Sequence, residues 1–211
     1  MNLKNILRIF AVTLILGSAT LAAAGIPDRD LSTATCAYTG PETLVMFNVP
    51  DGSGSPLTTV GWIFVGSTVD ATITLYLRDA AGNPIQNYPF EDLALASGPI
   101  ACCPGGSCAD ASTDPNGDTT WSLSLRAGGY SQDPTVVMVN NAPLTSGPGF
   151  NISHISPDSN GDLIVNLSDV AEFVRNYYGG YAFSSDFHYD GILNLSDVAK
   201  LSRSLGASCP P

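Results

Sequence analysis

Basic residues are scarce in this chain. It has eight Lys and Arg against nineteen Asp and Glu, a formal net charge of −11. That balance excludes a nucleic-acid surface, which depends on basic patches. Glutamate is scarcer than aspartate: Glu42, Glu91 and Glu172 are the only three. Histidine occurs twice, as His154 and His188. There is no G-x-S-x-G motif, and no pair of carboxylates is singled out for sugar hydrolysis. Asp51, Glu42, Glu91 and Asp92 stand in loops with nothing to distinguish them. The chain is therefore read as a non-enzyme. Apolar runs long enough to span a membrane are also missing.

The first 24 residues carry Lys4 and Arg8, an apolar run from Ile9 to Leu16, and Ala22-Ala23-Ala24. This is the layout of a secretory signal peptide with its cleavage site. Residues 1–24 are expected to be removed, and the mature protein to be extracellular or at the cell surface. Its five cysteines, Cys36, Cys102, Cys103, Cys108 and Cys209, should pair in an oxidising compartment. One pairing is Cys103 with Cys108 and Cys36 with Cys102, which leaves Cys209 odd. A zinc site in the CCPGGSC run is the other reading, but it has no fourth clear ligand.

Two stretches stand out by what they contain. Residues 158–169 read DSNGDLIVNLSD and residues 186–197 read DFHYDGILNLSD, starting 28 residues apart. Both place oxygen-bearing side chains at positions 1, 5, 9 and 12 of a twelve-residue calcium loop. In loop 1, Asp158, Asn160 and Asp162 fill positions 1, 3 and 5. Ile164 at position 7 offers its backbone carbonyl, Asn166 fills position 9, and Asp169 closes the shell at position 12. In loop 2 the matching residues are Asp186, His188, Asp190, Ile192, Asn194 and Asp197. Three carboxylates per loop repel one another by about 4 kcal/mol per close pair at an effective dielectric near 20. Order in the loops is therefore expected to come with two bound Ca²⁺ ions. The two isoleucines, pointing away from the ion, are available to a small core. Two departures matter. Leu163 sits at position 6, where glycine usually makes the turn, with Gly161 nearby as partial relief. His188 at position 3 is a poor partner for a hard ion, so loop 2 is expected to be the weaker.

A helical segment follows each loop, SDVAEFVRNYY (168–178) and SDVAKLSRSL (196–205), and position 12 is Asp rather than Glu. Loop-then-helix, twice, resembles the type I dockerin of bacterial cellulosomes over roughly residues 156–207. That resemblance implies a partner, a cohesin-like β-sandwich. It also implies contacts through loop positions 10 and 11 and the helix near positions 17 and 18. Here those are Leu167, Ser168, Val174 and Arg175, then Leu195, Ser196, Ser202 and Arg203. Helical spacing gives Val170, Phe173, Val174, Val198 and Leu201 to a core.

Residues 25–150 hold short apolar or alternating runs between Gly, Pro, Asn and Asp. Strands are expected at 43–49, 58–65, 71–79, 85–90, 119–127 and 135–140, with a further strand at 150–155. Seven such strands argue for an antiparallel β-sandwich. ATITLYLRDAAGNPIQNYPF and TDPNGDTTWSLSLRAGG resemble a bacterial immunoglobulin-like domain. The fold expected is thus mainly β: an immunoglobulin-like sandwich (25–150) followed by a small α-helical dockerin-like module (151–211). Two functions fit. One is a secreted assembly subunit, docked to a cohesin-like domain or to a neighbouring copy as a homo-polymer. The other is a carbohydrate-binding module docked to a scaffold. The second needs a row of exposed aromatics drawn from Trp62, Tyr76, Tyr88, Trp121 and Tyr130. Asn151 stands in an N-x-S sequon where a glycan is possible.

Overall fold

The computed structural model describes residues 25–62 and 67–211. The expected signal peptide lies outside them. The described chain is mainly β. In order, the strands are β1 (Thr33–Cys36), β2 (Leu44–Phe47), β3 (Val60–Trp62), β4 (Thr68–Val69), β5 (Ile73–Tyr76) and β6 (Leu93–Ala96). Then follow β7 (Ala101–Cys102), β8 (Asp118–Trp121), β9 (Ala127–Gly128), β10 (Val136–Val139), β11 (Ala142–Pro143) and β12 (Ile152–Ile155). Helices α1 (Leu167–Gly179) and α2 (Leu195–Ser204) come last.

Three sheets, ordered β1-β5-β8, β11-β10-β6 and β12-β2-β3-β4, close over one apolar core. Ile73 and Leu75 from β5, Leu93 and Leu95 from β6, Trp121 from β8 and Val137 and Val139 from β10 meet there. Period-two alternation explains it: β5, β6, β8 and β10 each bury every second residue. Strand β2 is different, because all four of its residues are buried. Leu44 and Met46 face this core, while Val45, Phe47 and nearby Val49 face a second one. A continuous apolar run of this kind marks a strand covered on both sides.

The second core is where the chain's two halves meet. Val45, Phe47, Val49 and Ile155 pack against Val165, Phe173, Phe187, Tyr189 and Leu201. The two-loop segment therefore lies on the outer face of the β12-β2 sheet. No linker separates them: β12 ends at Ile155 and the first loop starts at Asp158. β12 pairs in parallel with β2, from Ile152↔Leu44 to Ile155↔Phe47, so the sandwich is not wholly antiparallel.

Several sequence expectations need correction. Residues 85–90 form no strand; Tyr88 is buried, and Phe90 starts a short 3-10 turn. Strands β1, β4, β6, β7 and β11 lie outside the expected spans. The disulfide joins Cys103 to Cys209, and Cys36, Cys102 and Cys108 are free thiols. The pairings Cys103–Cys108 and Cys36–Cys102 are thus both replaced. Cys103 is held beneath Pro50, with its Sγ 3.2 Å from the Pro50 carbonyl, and the chain end folds back to reach it. No helix among the described residues is long and apolar enough to cross a membrane.

Candidate metal centre

The two loops share one hydrogen-bond scaffold, position by position. At position 1, Asp158 Oδ1 accepts the N–H groups of Gly161 (3.0 Å) and Asp162 (3.1 Å), and Oδ2 accepts that of Leu163 (2.8 Å). Asp186 repeats the last two: Oδ1 accepts Asp190 N–H (3.2 Å) and Oδ2 accepts Gly191 N–H (2.8 Å). At position 12, Asp169 accepts from Asn160 N–H (3.3 Å) and Asn166 N–H (2.8 Å). Asp197 accepts from His188 N–H (2.8 Å) and Asn194 N–H (2.9 Å). Position 5 accepts from position 7: Asp162 from Ile164 N–H and Asp190 from Ile192 N–H, both at 3.0 Å.

Position 9 ends each loop and starts each helix. Asn166 Oδ1 accepts Ser168 N–H and Asn194 Oδ1 accepts Ser196 N–H, each at 2.7 Å. With Asp169 or Asp197 reaching back, both helices begin on a capping box. The position-9 amides also donate to the position-7 carbonyls, at 3.2 Å to Ile164 and 3.4 Å to Ile192.

Four carboxylates, Asp158, Asp169, Asp186 and Asp197, are no more than 2% exposed. Burial pushes Asp158 up to about 6, and the charges of Asp169 and Asp162 push the same way. Burial also raises Asp197, with Asp186 and Asp190 adding to it. Among the described residues the one ion pair within 4 Å is Arg78–Asp118, far from either loop in sequence. Lys200 is close enough to loop 2 to feel Asp197 and Asp186, but its ammonium sits over the rings of Phe47 (4.5 Å) and Tyr189 (4.7 Å). Burial lowers its pKa, partly offset by Asp197 and Asp186. Buried carboxylates without a cation in contact are costly. The donor set of carboxylate, amide and carbonyl oxygens fits a hard divalent ion by its chemistry. The side chains are nonetheless turned onto backbone N–H groups. Among the described residues no three His, Cys, Asp or Glu side chains are placed as a group to hold a metal.

The position-7 isoleucines do not join a core. Ile164 is 48% and Ile192 63% exposed; in loop 1 position 8 takes the buried place, with Val165 fully covered, while Leu193 of loop 2 is half-buried. The reason is a bridge to the chain end: Val165 N–H donates to Ala207 O and accepts through its own carbonyl from Gly206 N–H, both at 2.9 Å.

On the helices, Phe173 and Leu201 face the second core and Val170 packs against it. Val174 and Val198 are on the outer side, at 45% and 39% exposed. Leu167 and Leu195 stand out at 80% and 77%. Ser168, Arg175, Ser202 and Arg203 are exposed and Ser196 is half-buried. The surface built from these residues is therefore free of the sandwich.

The other histidine lies away from the open surface. His154 is buried on β12, with Asn48 Nδ2 3.0 Å from Nδ1 and Thr135 Oγ1 2.7 Å from Nε2. Thr135 donates its hydroxyl to Ile152 O (2.8 Å), so its oxygen accepts from Nε2–H and Nδ1 accepts from Asn48. A cavity of about 240 Å³ between β1 and β10 is lined by Ala34, Val137, Leu144 and Phe150, with no acid, base or thiol on its wall. Of the aromatics proposed for a sugar platform, Tyr88 and Trp121 are buried, and Tyr130 is exposed.

Sequence reasoning missed what lies beneath the loops. Gly128 and Gly129 in the β9 turn touch loop 1, with Gly129 N–H donating to Asp158 O (2.7 Å). Gly61 of β3 lies under the Tyr189 ring of loop 2, and Tyr181 donates its hydroxyl to Asp186 Oδ2 (3.1 Å). The Gly-Gly pair closing the alternating strand TWSLSLRAGG was the available signal.

No family model and no curated protein matches the chain. Among solved structures it is similar to invasin, a bacterial integrin-binding protein, at 18% identity and a TM-score of 0.30. That match covers 58% of this chain and 19% of invasin's. It is also similar to the Lin-41 filamin domain, at 17% identity and a TM-score of 0.27, over 60% of this chain and 95% of that domain. Both likenesses are weak, and the fold rests on the pairing and packing described above.

Proposed function

We propose that this protein is a non-catalytic, secreted assembly subunit. In this reading an immunoglobulin-like sandwich carries a dockerin-type pair of loops, each ordered by one Ca²⁺. Asp158, Asn160, Asp162, Asn166 and Asp169, with the Ile164 carbonyl, hold one ion. Asp186, His188, Asp190, Asn194 and Asp197, with the Ile192 carbonyl, hold the other. Bound calcium neutralises the buried carboxylates and fixes the helices, and the outer faces of α1 and α2 then present Leu167, Ser168, Val174, Arg175, Leu195, Ser196, Ser202 and Arg203 to a β-sandwich partner. That partner is a cohesin-like domain or a neighbouring copy, as in a cell-surface filament.

One observation carries the reading. Two loops of different sequence hold the same hydrogen-bond register around buried carboxylates that lack a contacting cation. The inner helix faces are already covered by the chain's own sheet, so a partner meets the outer ones. Calorimetric titration of the mature chain with calcium should give two ions per chain, and no heat at millimolar calcium would end the proposal. Negative-stain images with and without chelator then separate the partners. Calcium-dependent filaments mean self-assembly, and persistent monomers mean an external scaffold.

A further inference from the structure

Each loop rests on a glycine of the sandwich. A Cβ built on Gly128 would lie 2.7 Å from Asp158 Cγ and closer still to Oδ2. That carboxylate has no room to retreat, being fully buried and held by three backbone N–H groups. A Cβ on Gly61 would lie 2.8 and 3.0 Å from Cδ2 and Cε2 of Tyr189, at position 4 of loop 2. The Tyr189 ring is itself buried in the second core. Neither glycine has the positive φ that would demand glycine for backbone reasons. Space for the loop is what each position supplies.

We propose that Gly128 and Gly61 are positioning residues for the two metal loops, so that the sandwich is part of the metal site and not merely its carrier. The inference rests on the calcium reading above. Loop 1 binds its ion at full strength only while Asp158 sits against the bare backbone of β9. Loop 2 does so only while Tyr189 sits against the bare backbone of β3.

The test uses the full mature chain and terbium, a hard cation standing in for calcium. Tyr181, bonded to Asp186, sensitises an ion in loop 2. Gly128→Ala should weaken binding in loop 1 about 10–100-fold, the usual effect of disturbing a group that orients a ligand, and leave the sensitised signal unchanged. Gly61→Ala should weaken the sensitised site and spare loop 1. Gly147→Ala, in open space, should alter neither. A double-mutant cycle guards against a merely structural effect. With Asp158→Ala the crowded carboxylate is gone and only the Cβ remains, 3.3 Å away, so adding Gly128→Ala should lower the melting temperature far less than it does alone. If Gly128→Ala alone does not fold, the double variant still should. Wild-type binding of two ions with unchanged binding by Gly128→Ala overturns the seat. Additive losses in the cycle, or a double variant that does not fold, also overturn it. A wild-type chain that takes no ion overturns the calcium reading instead, and the metal role of the seats with it.

Discussion

Loop 1 and loop 2 reach the same backbone path from opposite sides. Positions 4 and 6 lie in the left-handed region in both loops. Loop 1 has Gly161 at position 4 and Leu163 at position 6, with φ of 71° and 69°. Loop 2 has Tyr189 at position 4 and Gly191 at position 6, with φ of 62° and 77°. Each loop thus has one relaxed and one strained turn, and the glycine has changed places. For an L-residue that conformation costs about 1–2 kcal/mol. In loop 2 the strained residue is a tyrosine whose ring is buried in the second core, so packing offsets the strain. In loop 1 it is a leucine outside either core, and the hydrogen bond from Leu163 N–H to Asp158 is what holds it. The loops also differ in attachment. Loop 1 is the direct continuation of β12, whereas loop 2 returns to the sandwich through noncovalent packing and, beyond α2, the Cys103–Cys209 bond.

That difference can be broken most forcefully at the disulfide. Its sequence separation is 106 residues, and removing a bridge over such a loop costs about 5 kcal/mol on the chain-entropy account. Cys209→Ser should lower urea stability by that order. Hydrogen exchange should show α2 losing protection before α1. Equal loss in both helices would mean that continuity with β12 gives loop 1 no advantage.

The shared core gives the second test. Phe173, on the helix of loop 1, stacks on Phe187 of loop 2 at 5.9 Å between centroids. Phe173→Ala should destabilise by about 3–5 kcal/mol, as buried Phe-to-Ala changes do. Because the ring is shared, both loops should lose calcium affinity. Loss confined to loop 1 would show that the loops are independent.

Acid is the third. His154 lies on the strand that feeds loop 1, and burial lowers its pKa from 6.5 to about 4. The folded state therefore keeps it neutral where the unfolded chain protonates it. Stability is full above about 6.5 and falls as pH drops toward 4, by about 3 kcal/mol from this group. His154→Gln should flatten that part of the curve, measured by urea melts across the range. An unchanged slope would clear His154 of the acid sensitivity, because the raised pKa values of Asp158 and Asp197 act in the opposite direction.

The smallest effect is at the strained turns. Leu163→Gly should stabilise by about 1 kcal/mol or less, strain relief minus the added freedom of the unfolded chain. Tyr189→Gly makes the same backbone change yet should destabilise, because it strips a buried ring from the core. Thermal melts of the two variants should move in opposite directions.

How much of this was legible in the sequence follows from the range of each interaction. The loop scaffold was legible because positions 1 to 12 bond within one short segment. The glycine expected at position 6 was found in loop 2, but the equal demand at position 4 went unread in Tyr189. Strand β6 was missed because its LALA lacks β-branched residues and carries no strand propensity of its own. The docking of the loops was half-written in LVMF, an unbroken apolar run that needs cover on both faces. The disulfide was not legible at all, since its partners meet only after the chain end has crossed the sandwich.

The parallel pairing of β12 with β2 has a mechanical side. Between loop 1 and that pair the chain runs through only Ser156 and Pro157. Tension along β12 then acts in shear, stretching all of its ladder bonds to β2 together rather than peeling them one by one. The pairing resists best a load that lies along the strand.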